Sequence, residues 1–182
     1  MKFKLFSLGM PYALLMTSVL SADALIPACN NILIPPKFRE CLRETEDCLK
    51  CANDASREIQ GCLCFGQNPA SYKCYMDGLM PITLNVYYID PKTHERIDGA
   101  QGGGCLNKDK AVCTSWQYFR GFCKNWVPID VTNNQATVSA DFYCQALQGR
   151  VDGEKCVDLP TQGGLKECDL IDLAKGNCHF AW

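Results

Sequence analysis

Residues 47–66, DCLKCANDASREIQGCLCFG, carry Cys48 and Cys51 as C-x-x-C and Cys62 and Cys64 as C-x-C. Four thiols this close suit three chemistries. Zinc takes thiolates at tetrahedral spacing. A thioredoxin-type site sets C-x-x-C at the start of a helix that follows a strand, where the dipole lowers a thiol pKa. In an oxidising compartment the same thiols become disulfides. The compartment decides among them, and with it the fold.

The chain opens MKFKLFSLGMPYALLMTSVLSADA. Lys2 and Lys4 form a basic start, Leu5 to Leu20 is mostly apolar, and Ala22-Asp23-Ala24 offers small-x-small. That is the pattern of a secretory signal peptide, residues 1–24. Pro11 and Gly9 interrupt the run, which falls short of the roughly 18–20 apolar residues of a spanning helix. The expected mature protein, residues 25–182, is secreted to the extracellular space, with no membrane segment in the mature form.

All fourteen cysteines follow the cut: Cys29, Cys41, Cys48, Cys51, Cys62, Cys64, Cys74, Cys105, Cys113, Cys123, Cys144, Cys156, Cys168 and Cys178. They make about 9% of the mature chain, the level of a disulfide scaffold. The 47–66 cluster therefore reads as staples. Its C-x-x-C also lies late in a helical pattern, against a redox site, and no metal or cofactor is expected. Cys41 and Cys48, two turns apart on one helix, differ by about 10.5 Å in rise. That exceeds the roughly 7 Å Cα separation a disulfide spans, so each reaches another segment. Cys62 and Cys64, two apart on an extended stretch, do likewise.

Cys29 to Cys74 is seven cysteines, and Cys105 to Cys178 is seven more. Both counts are odd. Unless each half keeps a free thiol, one bridge crosses near residue 80, and the mature chain is one cross-tied unit with two lobes.

The front lobe, 25–80, reads as short helices. Phe38, Cys41, Leu42, Thr45, Cys48, Leu49 and Ala52 recur at three and four, predicting one helix from Pro35 to about Asn53. A second short helix follows Asp54, up to Gly61. A third begins with Asn68 as cap and Pro69 at the first position, and ends before Gly78. The rear lobe, 81–182, is strand-rich. Ile82 to Ile89 alternates, and PKTHERIDGAQGGG (91–104) reads as a polar, glycine-rich loop. Asn133-Asn134 suggests a hairpin turn between 127–132 and 135–142. Asp152-Gly153 suggests another, between 142–151 and 154–159. Leu165 to Lys175 reads as a closing helix with Gly176 after it. The fold class is α+β, disulfide-rich: an N-terminal cluster of short helices, an antiparallel β meander and a C-terminal helix.

Formal net charge is −2 over the whole chain, with no block of like charge, which argues against nucleic-acid binding. Only two histidines occur, His94 and His179, and no G-x-S-x-G, H-E-x-x-H, EF-hand or phosphate-loop motif. Acids are scattered; Glu95 and Asp98 are the least implausible pair for hydrolysis, and in the 91–104 loop they read first as solvated charges. The densest aromatic stretch is Ser115 to Trp126, SWQYFRGFCKNW. Trp116, Phe119, Cys123 and Trp126 at helical spacing predict one inward face and a packed core. The alternative is a contact surface of Trp116, Tyr118, Arg120 and Phe122, because Tyr, Trp and Arg dominate binding hot spots. His94 and Arg96 complete the candidate binding residues.

The N-terminal signal pattern, the short acidic mature chain, fourteen cysteines and missing catalytic motifs together resemble the small cysteine-rich secreted effectors of pathogenic fungi and other plant-associated organisms. The resemblance is one of composition across the mature chain. It implies a monomeric, non-enzymatic binding protein acting on an extracellular or host protein or glycan. Two other classes stay open: a small secreted hydrolase of carbohydrate or nucleic acid, and a protease inhibitor presenting Arg96.

Overall fold

The computed structural model describes residues 26–161, 163, 164 and 166–180; the signal segment lies outside them. After a 3-10 turn (Pro27–Cys29), the helix expected over 35–53 is two helices, α1 (Pro36–Thr45) and α2 (Cys48–Cys51). Glu46 takes a left-handed conformation, φ 55°, and Asp47 restarts the helix by accepting the Lys50 N–H at 3.1 Å. This break turns the chain back. Cys41 bridges Cys51 with Cα atoms 5.6 Å apart, whereas a continuous helix would hold them about 15 Å apart. The other segment that Cys41 needs is thus made within the same run.

Ser56 caps α3 (Arg57–Phe65), its hydroxyl accepting the Ile59 N–H at 3.4 Å. Cys62 and Cys64 lie on this helix, not on extended chain. Two residues at 100° each point them to different sides. Cys62 joins Cys29 and Cys64 joins Cys48, so all four cysteines of the 47–66 cluster are bridged, each to a different partner. Next comes α4 (Pro69–Met76). Asn68 caps it by accepting the Ala70 and Ser71 N–H groups at 3.0 and 3.1 Å, and Gly78 leaves it at φ 88°.

Strands β1 (Met80–Ile89), β2 (Arg96–Leu106), β3 (Ala111–Thr114) and β4 (Val127–Pro128) form the expected antiparallel meander. The fifth strand, β5 (Gln135–Ser139), adds to β1 in parallel and makes the sheet mixed, in the order β4-β3-β2-β1-β5. Asn133 and Asn134 do hold positive φ, 51° and 58°, beside a Thr132–Gln135 bridge. The chain then parts, because residues 129–134 carry it from one edge of the sheet to the other. The predicted long hairpin is only its turn.

Most of the 91–104 loop is β2. Its glycines serve close packing. A Cβ on Gly104 would sit 2.7 Å from Val112 Cγ2, one on Gly103 2.6 Å from Ser115 Oγ, and one on Gly102 would overlap Tyr143. Layers on both sides of β2 press onto its backbone, and only glycine leaves them room.

Helix α5 (Ser115–Phe119) is short. Helix α6 (Ala140–Ala146), capped by Ser139, occupies residues expected to be strand; Ala140, Cys144 and Leu147 recur at four and three and face the core. A small sheet follows: β6 (Arg150–Asp152), β7 (Lys155–Val157) and β8 (Cys168–Asp169). The predicted Asp152-Gly153 turn is shifted by one residue: Asp152 pairs with Lys155, so the turn is Gly153-Glu154, and Gly153 holds the positive φ, 58°, that its first position needs. Helix α7 (Leu170–Lys175) closes the chain, with Gly176 left-handed at φ 77°.

The core lies between the sheet and helices α6 and α7. Ile82, Leu84 and Val86 of β1 and Ala136 and Val138 of β5 meet Leu147, Leu170 and Leu173. Each such large side chain contributes about 1.5–3 kcal/mol on burial. The molecule is an α+β, disulfide-rich fold with six bridges among the described residues, where the cysteine count allows seven. The rear three are Cys113–Cys123, Cys144–Cys156 and Cys168–Cys178. None of the six crosses residue 80. Cys74 and Cys105 stand as buried thiols, one in each half, which accounts for the two odd counts.

Candidate functional site: a polar groove on the sheet face

Alternation along β1 buries Ile82, Leu84 and Val86 and turns Thr83, Asn85 and Tyr87 to the opposite face. Register extends that face sideways. Gly103 pairs with Thr83 and Gln101 with Asn85 on one side; Gln135 and Thr137 pair with the same two residues on the other. Cross-strand partners share a face, so Thr83, Asn85, Gln101, Gln135 and Thr137 lie on the same face of the sheet as Gly103. All are uncharged hydrogen-bonding groups. Gln101 donates from Nε2 to Asn85 Oδ1 at 3.0 Å, which holds both amides.

The helical lobe covers one end of this face and leaves a groove of about 870 Å³. The sheet supplies Thr83, Gln101, Gly102, Gly103 and Gln135, and the β4–β5 connection supplies Asn133 and Asn134. The opposing wall is Phe65, Asn68 and Ser71 with the 46–49 segment. Two carboxylates, Glu46 and Asp47, stand together on that wall, and Asp47 is engaged as a helix cap. Ser115 packs over Gly103 on this same face, its Oγ 2.6 Å from where a Cβ would sit. Thr114, Ser115 and Gln117 are each buried, and their side-chain hydroxyl and amide atoms have no protein hydrogen-bond partner among the described residues.

The aromatic segment is arranged differently from its expected helix face. Helix α5 ends at Phe119 and Gly121 turns the chain at φ 75°, while the Cys113–Cys123 bridge folds it back. Trp116 meets Phe119 edge-on at 5.8 Å, but Trp126 meets Tyr118 at 6.0 Å. Trp116, Tyr118, Arg120 and Phe122 are all half-buried. The fully buried residues here are the polar Ser115 and Gln117. Tyr118 donates to Asp77 Oδ2 at 2.7 Å, which ties α5 to the end of α4. Lys73 and Tyr118 hold the Asp77 carboxyl below its ordinary range, and burial and Asp77 push the Tyr118 hydroxyl up.

His94 and Arg96 lie at the far end of the β1–β2 hairpin. Arg96 and Gly103 are separated by seven residues of β2, about 23 Å at strand rise, so the structure does not unite them with the aromatic segment. His94 is exposed at φ 59°, its N–H donating to the Asp90 carbonyl. Arg96 stacks 4.4 Å over the Tyr87 ring and pairs with Asp98 at 2.8 Å, holding that carboxyl low. A second groove, of about 470 Å³, holds Asp90, Asp152, Glu154 and Asp169 interleaved with Lys92 and Lys155.

The polar groove escaped sequence reading because its residues come from five separated stretches, 46–49, 65–71, 81–83, 101–103 and 133–135. The available signal was the polar half of the β1 alternation, Thr83-x-Asn85-x-Tyr87. Among the described residues no helix is long and apolar enough to cross a membrane. Compared with known proteins, the chain matches no family model, no curated sequence and no solved structure.

Proposed function

We propose that this is a secreted, effector-type binding protein without catalytic activity, whose ligand is a neutral glycan held in the groove over β1, β2 and β5. The observation that carries the reading is the lining: the amides and hydroxyls of Thr83, Gln101, Asn133, Asn134 and Gln135, faced by Asn68, Ser71 and Phe65 on the opposing wall, with Glu46 and Asp47 its two acids. Sugars are neutral, present alternating donors and acceptors, and offer an apolar ring face to an aromatic. Side-chain amides both donate and accept, which suits hydroxyls of either polarity. The volume falls within the range of ordinary ligand sites. Protein-binding surfaces instead gather apolar and aromatic anchors at their centre, and here Trp116 pairs with Phe119 and Trp126 with Tyr118, which is itself bonded to Asp77 at the end of α4.

Two further features support binding over hydrolysis. The groove's two acids are adjacent in sequence on one wall, whereas glycoside hydrolysis needs carboxylates on opposite sides of the bond. The acids of the second groove are interleaved with lysines. The inhibitor alternative loses its loop, because Arg96 is a paired strand residue engaged with Asp98.

The test is a glycan panel screened with the oxidised mature protein, followed by titration of the best ligand. Gln101→Ala and Gln135→Ala should each weaken binding about tenfold, the loss of roughly one good hydrogen-bond pair. Binding that survives both substitutions, or turnover of the glycan, overturns the reading.

A further inference from the structure

The most constrained chemistry left over is sulfur. Cys74 lies on α4 one turn after the groove residue Ser71, and Cys105 lies on β2 two residues after the groove residue Gly103. Both side chains have zero exposure. Ser71 Oγ comes within 3.9 Å of where a Gly103 Cβ would sit, so the α4 face carrying Ser71 and Cys74 packs on the β2 face carrying Gly103 and Cys105 and brings the two thiols together. The other twelve cysteines are all consumed in bridges whose two ends lie in the same half of the chain. We infer that Cys74 and Cys105 are a modification site: they form a seventh disulfide, the one covalent link between the helical lobe and the sheet, and it sets the spacing of the groove's two walls.

The reaction is thiol–disulfide exchange with a small or protein disulfide donor of the oxidising compartment. One thiolate attacks the donor, RSSR, to give a mixed disulfide and release RSH. The second displaces the remaining RS group, so the bridge forms, the donor's S–S bond breaks, and both protons leave on two RSH molecules. Burial pushes the Cys105 thiol far up and shuts out the donor, so attack is blocked once α4 has docked. The bridge therefore closes as the lobes come together, before the sulfurs are sealed. Cys105 also lies directly across from Cys113, already paired with Cys123. This neighbour makes Cys105–Cys113 the wrong pairing that folding must avoid. The inference stands apart from the groove's ligand and needs no glycan to be tested.

Tryptic sites isolate the pair. Cleavage after Lys73, Lys92, Arg96 and Lys108 yields 74–92, containing Cys74 alone, and 97–108, containing Cys105 alone. Natively folded protein should be secreted by a eukaryotic host, denatured with a thiol-alkylating reagent present, digested without reductant and analysed by mass spectrometry. The expected product is 74–92 joined to 97–108, two hydrogens lighter than the sum of the free peptides, with neither alkylated. Alkylated Cys74 and Cys105, or Cys105 linked to Cys113, would overturn the inference. A second readout uses clipping at Lys92 in the exposed β1–β2 turn. On a denaturing gel without reductant the two halves should migrate together, and in the Cys74→Ala variant they should part. Halves of the unsubstituted protein that part without reductant refute the bridge.

Discussion

The front and rear of this molecule are held together by different forces. In the helical lobe few side chains are fully buried, chiefly Phe38, Ala52, Ala70, Cys74 and Tyr75, while Leu33 is 91% exposed and Ile34 and Ile59 also face solvent. Three disulfides fall within residues 29–64. The rear half has as many bridges but also a continuous apolar core reaching from β1 to α7. Short helices bury one narrow stripe each and cannot exclude water alone. A sheet buries a whole face at once. Cross-links compensate in the first case by limiting the unfolded chain, and in the second they add to a structure that packing already specifies.

The comparison breaks most visibly at Leu84, which has zero exposure at the centre of the rear core. Leu84→Ala should cost about 2–5 kcal/mol. Denaturant unfolding followed by hydrogen exchange should show β1 and β5 amides losing protection. Retained protection there would mean the core is not what holds the sheet. The next effect is smaller and lies in front. Replacing both Cys48 and Cys64 by Ala opens a loop of sequence separation 16 and should cost about 3 kcal/mol. Amides of α3 should then exchange faster while those of β1 do not. Equal loss in both would show the two regions to be one cooperative unit.

The smallest effect sharpens the joint between them. Asp77 on the front bonds Lys73 at 2.7 Å and accepts from Tyr118 of the rear. These partners lower its native pKa, so their stabilisation is present in full above the unfolded value of about 3.9 and is lost as pH falls through the native one. Side-chain exposures of 45% and 36% for the pair keep the contribution below about 1 kcal/mol. Tyr118→Phe should flatten the dependence of melting temperature on pH below 4, and an unchanged slope would remove the joint.

Local signals were legible where one residue carries them alone. Asn68 with Pro69 starts α4, Gly176 ends α7, and Gly153 sits at the tip of its hairpin. Each acts through its own backbone or its nearest neighbours. The 91–104 run misled for the opposite reason. Glycine there reads as freedom when seen in sequence, yet it is a demand for thickness, visible only once Tyr143, Ser115 and Val112 press on β2. Residues 140–146 became a helix because the Ser139 cap and a core-facing stripe outweighed the expected hairpin. The aromatic segment divided because a bridge ten residues long bent it back. The groove was hidden because five distant stretches line it, three of them sharing a face only through strand register.

By itself the amino-acid sequence determined the composition of the problem: α+β elements, a cysteine content that calls for cross-links, and two halves with odd numbers of thiols. Those follow from local geometry and from counting. Tertiary structure alone decided which sulfurs meet, which face of β1 lines the groove, and that Cys74 and Cys105 end side by side. Pairing, register and burial are relations between residues far apart in the chain, and they acquire values only when packing brings those residues into contact.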